Sequence, residues 1–187
     1  EKQGYKFVHP FDGAHTLQGS ATLGLEIIDQ INDMNTKIDN VLISVGGGGL
    51  ISGVGAVLKQ VFPNINIIGI EPDEAKGITD SLKSNQPLQK VYINSIADSL
   101  CAPIHMPYSF SIAKQVIDEM FNITDKDMSE AMLFAYNQLK LFLEPACVAG
   151  FAALKKFQNK NFKGQNTLIL LCGSNIDFQS WNSIVNH

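Results

Sequence analysis

No Cys-x-x-Cys pair occurs in this sequence. Its three cysteines, Cys101, Cys147 and Cys172, are an odd number, which argues against a disulfide framework or a zinc site and for reduced thiols in a cytoplasmic setting. No basic cluster offsets the formal net charge of −4, so nucleic acid is not an expected partner. No apolar run approaches the length of a membrane span, and the opening Glu1-Lys-Gln-Gly-Tyr5 lacks the character of a signal peptide. Internal repeats, low-complexity tracts and clean linkers are absent too. The 187 residues suffice for one sizeable core, and the chain reads as a single domain, 1–187.

Glycine, by contrast, is concentrated. Val41-Leu-Ile-Ser-Val45 leads into Gly46-Gly47-Gly48-Gly49, and Leu50 to Val61 follows with the small apolar residues of a helix packed closely on a sheet. This order predicts a buried parallel strand, a tight loop and a helix N-terminus. Without Cβ atoms the loop can curl its backbone N–H groups toward one anion, and the helix adds its own unpaired N–H groups and positive dipole end. Such a cradle holds a phosphate without Lys or Arg. Gly49 is followed by Leu50-Ile51 rather than Lys and Ser/Thr, so the stretch is not a Walker A loop. The dinucleotide fingerprint fails by register, its last position falling on Ile51 or Ser52. Glu71 nevertheless ends the next apolar run, Ile65 to Ile70, where a ribose-binding acid would stand, so a nucleotide stays open beside other phosphates.

Taken in order, Tyr5 to Val8 is a short strand candidate and Pro10 to Gly13 a turn. Gly19 to Met34 has helical spacing at Leu23, Ile27, Ile28 and Ile31. Ile78 to Ser84 could be a helix, and Leu100 to Tyr108, with Pro103 and Pro107, cannot be a regular one. Ser109 to Met120 is amphipathic, and Phe121 to Thr124 a short strand candidate. Thr124 and Asp127 have the spacing of a capping box, opening a helix expected to run to Leu143 with Met128 and Met132 filling core gaps. Glu144-Pro145 ends it, Ala146 to Phe157 is a small-residue helix, and Thr167 to Leu171 a final buried strand. Strands alternating with helices predict an α/β fold, a mainly parallel twisted sheet flanked by helices. Ligands in such folds sit beyond the C-terminal strand ends, where Gly46 to Gly49, Glu71-Pro72 and Cys172 to Asn175 are all expected.

Phe7-Val-His-Pro-Phe-Asp12, Gly19-Ser-Ala-Thr-Leu-Gly-Leu-Glu26, the glycine loop, Ile70-Glu-Pro72, Ser95-Ile-Ala-Asp98, Lys140-Leu-Phe-Leu-Glu-Pro145 and Cys172-Gly-Ser-Asn-Ile-Asp177 occur in the order seen in serine/threonine dehydratases and serine racemase. The chain resembles this family, fold-type II enzymes of pyridoxal phosphate, over nearly its whole length. The resemblance implies the large domain of that tryptophan synthase β-like fold, with Gly46, Gly47, Gly48 and Gly49 binding the cofactor phosphate. It implies that Cys172 hydrogen-bonds the pyridine nitrogen and that Glu144 lies beside the cofactor. A neutral thiol at the ring nitrogen suits quick loss of a β-hydroxyl over a long-lived carbanion. The implied reaction is conversion of L-threonine or L-serine to a 2-oxo acid and ammonia, with no membrane partner and a homo-oligomeric complete enzyme.

The chain departs from the family pattern in three places. The family's divalent cation is held by a Glu, a backbone carbonyl and an Asp. Glu71 and Ala75 match, but Gly77 stands where the Asp would be, which counts against a cation there. Ser99 replaces a Gly and is expected to alter the substrate pocket. The Schiff-base lysine motif and the substrate-carboxylate loop have no counterpart, so the chain resembles the C-terminal part of such an enzyme, expected to be inactive alone. A racemase or synthase of the same fold, or a phosphate- or nucleotide-binding module without catalysis, are the alternatives.

Overall fold

The computed structural model describes residues 3–157 and 162–186. Glu1, Lys2 and His187, at the ends of the expected domain, lie outside them. Four parallel strands, β1 (Asn40–Ser44), β2 (Asn66–Pro72), β3 (Glu119–Ile123) and β4 (Thr167–Ile169), form one sheet in the order β3-β2-β1-β4. β1, one of the two inner strands, leads into the glycine loop. It pairs with β2 from Asn40 opposite Asn66 to Ser44 opposite Ile70, and with β4 from Asn40 opposite Thr167 to Leu42 opposite Ile169.

Every residue of β1 is buried, because helices cover both faces of the sheet. Alternation divides its side chains between two cores. Val41 and Ile43 pack with Ile67 of β2, with Ile27, Ile28 and Ile31 of α1 (Ala14–Asp33) and with Ile51, Val54 and Leu58 of α2 (Gly49–Val61). Phe110 of α4 (Pro107–Val116) joins that side. Leu42 points the other way, with Ile68, Ile70 and Phe121, toward α5 (Asp125–Phe134), α6 (Ala149–Lys156) and Trp181 of α7 (Phe178–Val185). α3 (Gly77–Ser84) follows β2 after a 3₁₀ turn at Asp73–Ala75. The architecture is therefore the expected parallel sheet between helical layers. Among the described residues no helix is long and apolar enough to cross a membrane.

Several local expectations change. Among the described residues Tyr5 to Val8 pairs with no strand, and Tyr5, Phe7 and Val8 are exposed. α1 begins at Ala14 rather than Gly19, since Gly13 at φ +93° makes the turn that lets His15 to Gln18 join the helix. Pro107 opens α4 because the first helical position needs no intrahelical N–H bond. The capping box forms: Asp127 N–H donates to Thr124 Oγ1 at 3.0 Å, and Thr124 N–H donates to Asp127 Oδ2 at 2.8 Å. That helix does not reach Leu143. It widens into a π turn at Ala135–Leu139 and stops at Lys140, which adopts a left-handed conformation at φ +59°. Phe142 then packs on Trp181, and the chain runs back toward the sheet. Met128 and Met132 are fully buried, as core fillers should be. α6 starts at Ala149 rather than Ala146, and β4 ends at Ile169 rather than Leu171; as an edge strand it is only half-buried.

Candidate active site

The C-terminal ends of β1 and β4 open into a cleft of about 290 Å³, lined by the glycine loop, Phe11, Ser99, Glu144 and Cys172. A larger cavity of about 610 Å³ lies at the opposite end of the sheet, beside the last turns of α1 and α2. Among the described residues its wall gathers no reactive cluster and carries one lysine, Lys37, which pairs with Asp39 at 2.5 Å.

Each glycine of the loop is required for a local reason. A Cβ at Gly46 would lie 2.9 Å from the Ser99 carbonyl oxygen and 3.1 Å from Leu100 Cα. At Gly47 it would enter the Phe11 ring, and at Gly49 it would come within 2.7 Å of the Phe11 carbonyl oxygen. Gly48 adopts φ +89°, the left-handed region that side chains avoid. The loop is thus pressed between two backbone segments, 9–12 and 98–100, while Val45 N–H anchors its start on Ile70 O at 2.8 Å. The first bond of the α2 ladder runs from Ser52 N–H to Gly48 O, so the N–H groups of Gly49, Leu50 and Ile51 precede it. With no side-chain cap at Gly48, these donors and the positive end of the helix dipole have the character to hold an anion at the cleft floor.

Glu144, 8% exposed, forms one wall. Its Oε2 accepts Asn175 N–H at 3.1 Å, and its Oε1 lies 3.5 Å from the Ser99 hydroxyl, which donates to it. Gly173, at φ +133°, leaves room for that carboxylate, since a Cβ there would lie 2.8 Å from Glu144 Cδ. Glu144 therefore ties the segment carrying Cys172 to the turn carrying Ser99. Cys172 is exposed on the same cleft, and desolvation of its sulfur by the surrounding wall, reinforced by the Glu144 carboxylate, pushes its thiol up. It is neutral at physiological pH. Cys147, wholly buried nearby, is pushed up to about 12 by burial and behaves as a small core residue.

The residues expected at a cofactor thus meet on one cleft: Gly46 to Gly49, Glu144 and Cys172, with Ser99 beside them. Glu71 and Ala75 do not line it. Ala75 is buried in the 3₁₀ turn, and the Glu71 carboxylate is turned into α3, where it has no access to a ribose. Sequence reasoning missed Phe11 as the strap across the loop, although it lies within the Phe7 to Asp12 motif. It also missed Ser44, whose hydroxyl donates to Ala146 O at 2.7 Å and fixes the segment after Glu144 to β1. Among the described residues lining the cleft there is no lysine.

The family profile described as "Pyridoxal-phosphate dependent enzyme" matches residues 1–173. A phenylserine dehydratase of Ralstonia pickettii is 37% identical over 176 residues, covering 94% of this chain and 53% of that protein. An L-threonine ammonia-lyase of Thermotoga maritima is 32% identical over 186 residues, covering all of this chain and 45% of that protein. The solved structure of the processed form of threonine deaminase isoform 2 from Solanum lycopersicum superposes with a TM-score of 0.91 at 31% identity, over 99% of this chain and 53% of the other. The chain spans about half the length of the relatives it matches.

Proposed function

This chain belongs to the pyridoxal-phosphate dependent enzymes, and on that premise we propose that it is the cofactor-phosphate half of an ammonia-lyase acting on L-threonine or L-serine. The observation that carries this reading is the convergence of Gly46 to Gly49, Glu144 and Cys172, from three distant stretches, on one cleft. The residues fit the cofactor: a Cβ-free cradle for its phosphate at one end, and a neutral thiol to face a ring nitrogen at the other.

When bound, pyridoxal phosphate supplies the electron sink that lets an amino acid lose its Cα proton and β-hydroxyl, leading to a 2-oxo acid and ammonia. The protein's part is positioning. The N–H groups of Gly49, Leu50 and Ile51 would hold the phosphate at the head of α2, and the Phe11 strap holds the loop in that shape. Cys172 would offer the pyridine nitrogen an uncharged partner, with which the ring would be a weaker sink suited to quick elimination. Glu144 sets the height of the Cys172 segment, and with Ser99 it presents a polar edge to the substrate side. Among the described residues no amine lies on the cleft wall, and we assign the amine that would hold the cofactor, and the grip on the substrate carboxylate, to further polypeptide of the complete enzyme.

The test is a coupled 2-oxo-acid assay. The purified chain alone is expected to release no pyruvate or 2-oxobutanoate from serine or threonine. Adding the lysine-bearing portion, fused or as a second polypeptide, should restore turnover. Turnover by the chain alone, comparable to an intact dehydratase, would refute the assignment of the amine. Failure of the completed protein to release either oxo acid would refute the lyase.

A further inference from the structure

Behind the cleft, where β2 meets α3, the molecule carries a second constellation. Glu71 is 1% exposed. Its Oε1 accepts Ile78 N–H at 2.6 Å, and its Oε2 accepts Thr79 N–H at 2.9 Å and the Thr79 hydroxyl at 2.7 Å. Both carboxylate oxygens are thereby engaged by the first turn of α3, whose N-cap, Lys76, contributes no side-chain bond of its own. Glu71 is the cap of that helix, reached from the neighbouring strand.

Residue 77 is a buried glycine. A Cβ built on it would collide with His105 Nε2 and lie 2.9 Å from Cδ2 and 3.1 Å from Cε1. The imidazole therefore stands in the volume that any side chain at 77 would occupy. His105 is 1% exposed, its backbone N–H is fixed on Leu88 O at 2.8 Å, and its Nδ1 has no hydrogen-bond partner among the described residues. Burial pushes its imidazole down to about 4, so the ring brings no charge to the site.

These features bear on the divalent cation that the family resemblance implies. A hard cation requires about six or more oxygens arranged around one point. Here the carboxylate expected at 77 is missing, the one at 71 is turned onto amides, and the volume is taken by an imidazole ring. Among the described residues no group of three His, Cys, Asp or Glu side chains could hold a metal ion. The residues present do not fit a cation.

We propose that His105, seated on Gly77, is a metal-free plug of this site, and that Glu71 caps α3 in place of binding a cation, so that the fold of this chain is indifferent to divalent cations. Gly77 and His105 are a matched pair: the ring fills the space that a side chain at 77 would take, and neither residue can be changed to restore a cation site without changing both.

The experiment is thermal unfolding of the apo chain, first with EDTA and then with Mg²⁺, Mn²⁺ or Ca²⁺ in separate samples, alongside Mn²⁺ electron paramagnetic resonance to count bound ions. No step uses the cofactor, so the outcome is independent of the lyase assignment. The wild-type midpoint should be the same in all four conditions, and the free Mn²⁺ signal should be undiminished. Gly77→Asp alone should lower the midpoint whatever the cation, because the new side chain strikes the imidazole. Gly77→Asp combined with His105→Gly supplies the missing carboxylate and empties the volume. It should gain a cation-dependent rise, as any ligand selective for the folded state produces. A wild-type midpoint that rises with Mg²⁺ or Ca²⁺, or stoichiometric Mn²⁺ uptake by the wild type, would overturn the proposal. A cation response in Gly77→Asp with His105 still in place would overturn the plug. If the double variant does not fold, the wild-type melts and the resonance titration still decide.

Discussion

Gly48 is the position at which stability and phosphate binding can be separated. Its φ of +89° is unfavourable for a side chain, at about 1–2 kcal/mol for a residue such as Ala. Space is not the obstacle, because the nearest atom to a Cβ added there is the end of Ile78, 3.3 Å away and able to turn aside. Gly48→Ala should therefore lower the melting midpoint by about 2–8 °C, at roughly 2–4 °C per kcal/mol for a chain of this size. Gly48→Asn should cost less, since Asn tolerates the left-handed region. Gly48→Asp is nearly isosteric with Asn but puts a carboxylate beside the cradle. One unit charge about 4 Å from another, at an effective dielectric of about 20, is worth about 4 kcal/mol, or close to a thousandfold in affinity. The assay is calorimetric titration of each variant with pyridoxine phosphate, which carries the phosphate but no reactive aldehyde, with melts run in parallel. Asn should bind within a few-fold of wild type and Asp should not bind measurably, although the two melt alike. Equal affinity of the Asn and Asp variants would refute the reasoning, because the phosphate would then lie elsewhere.

Three further outcomes follow from the same geometry. Glu144→Gln removes a negative neighbour from Cys172, so the pH midpoint for alkylation of that thiol should fall toward the ordinary cysteine value, read by mass spectrometry of the labelled peptide. Cys172→Ser in the completed enzyme should keep most elimination activity, since a hydroxyl is also a neutral partner, whereas Cys172→Asp should slow turnover by favouring a protonated ring; equal rates for wild type and Asp would remove Cys172 from the cofactor. His105 is held near 4 in the fold against 6.5 when free, so the folded state binds fewer protons and this contribution to stability, at most about 3 kcal/mol, is complete above pH 6.5 and lost as pH falls toward 4. The stability difference between wild type and His105→Gln should accordingly shrink over that window in parallel denaturant titrations.

The parts of the fold that are legible in the sequence are those where one local rule decides. The apolar β-branched runs at Val41 and Ile67 mark strands covered on both faces, and Thr124 with Asp127 marks a helix start through side chains that reciprocally cap it. Illegible are the places where a distant residue overrides local pattern. The apolar spacing from Met128 to Leu143 continues past the real end of α5, and nothing nearby announces that Lys140 turns left-handed so that Phe142 can reach Trp181. At the cleft, the four glycines advertise a close backbone approach, but not that Phe11 and Ser99 make it. Glu71 reads as a ribose ligand because it follows an apolar strand, and as a cation ligand only through the family resemblance, whereas its bonds go to a helix start seven and eight residues further on. His105 gives no signal, since its meaning depends on an absent side chain at 77.

The central claim is that one cleft holds pyridoxal phosphate between the glycine loop and Cys172. The most direct measurement is the alkylation rate of Cys172, with Cys101 as internal control, in the presence and absence of saturating pyridoxine phosphate. The ligand should slow labelling of Cys172 and leave Cys101 unchanged, and the protection should vanish in Gly48→Asp. Labelling of Cys172 at the same rate with and without bound ligand would contradict it.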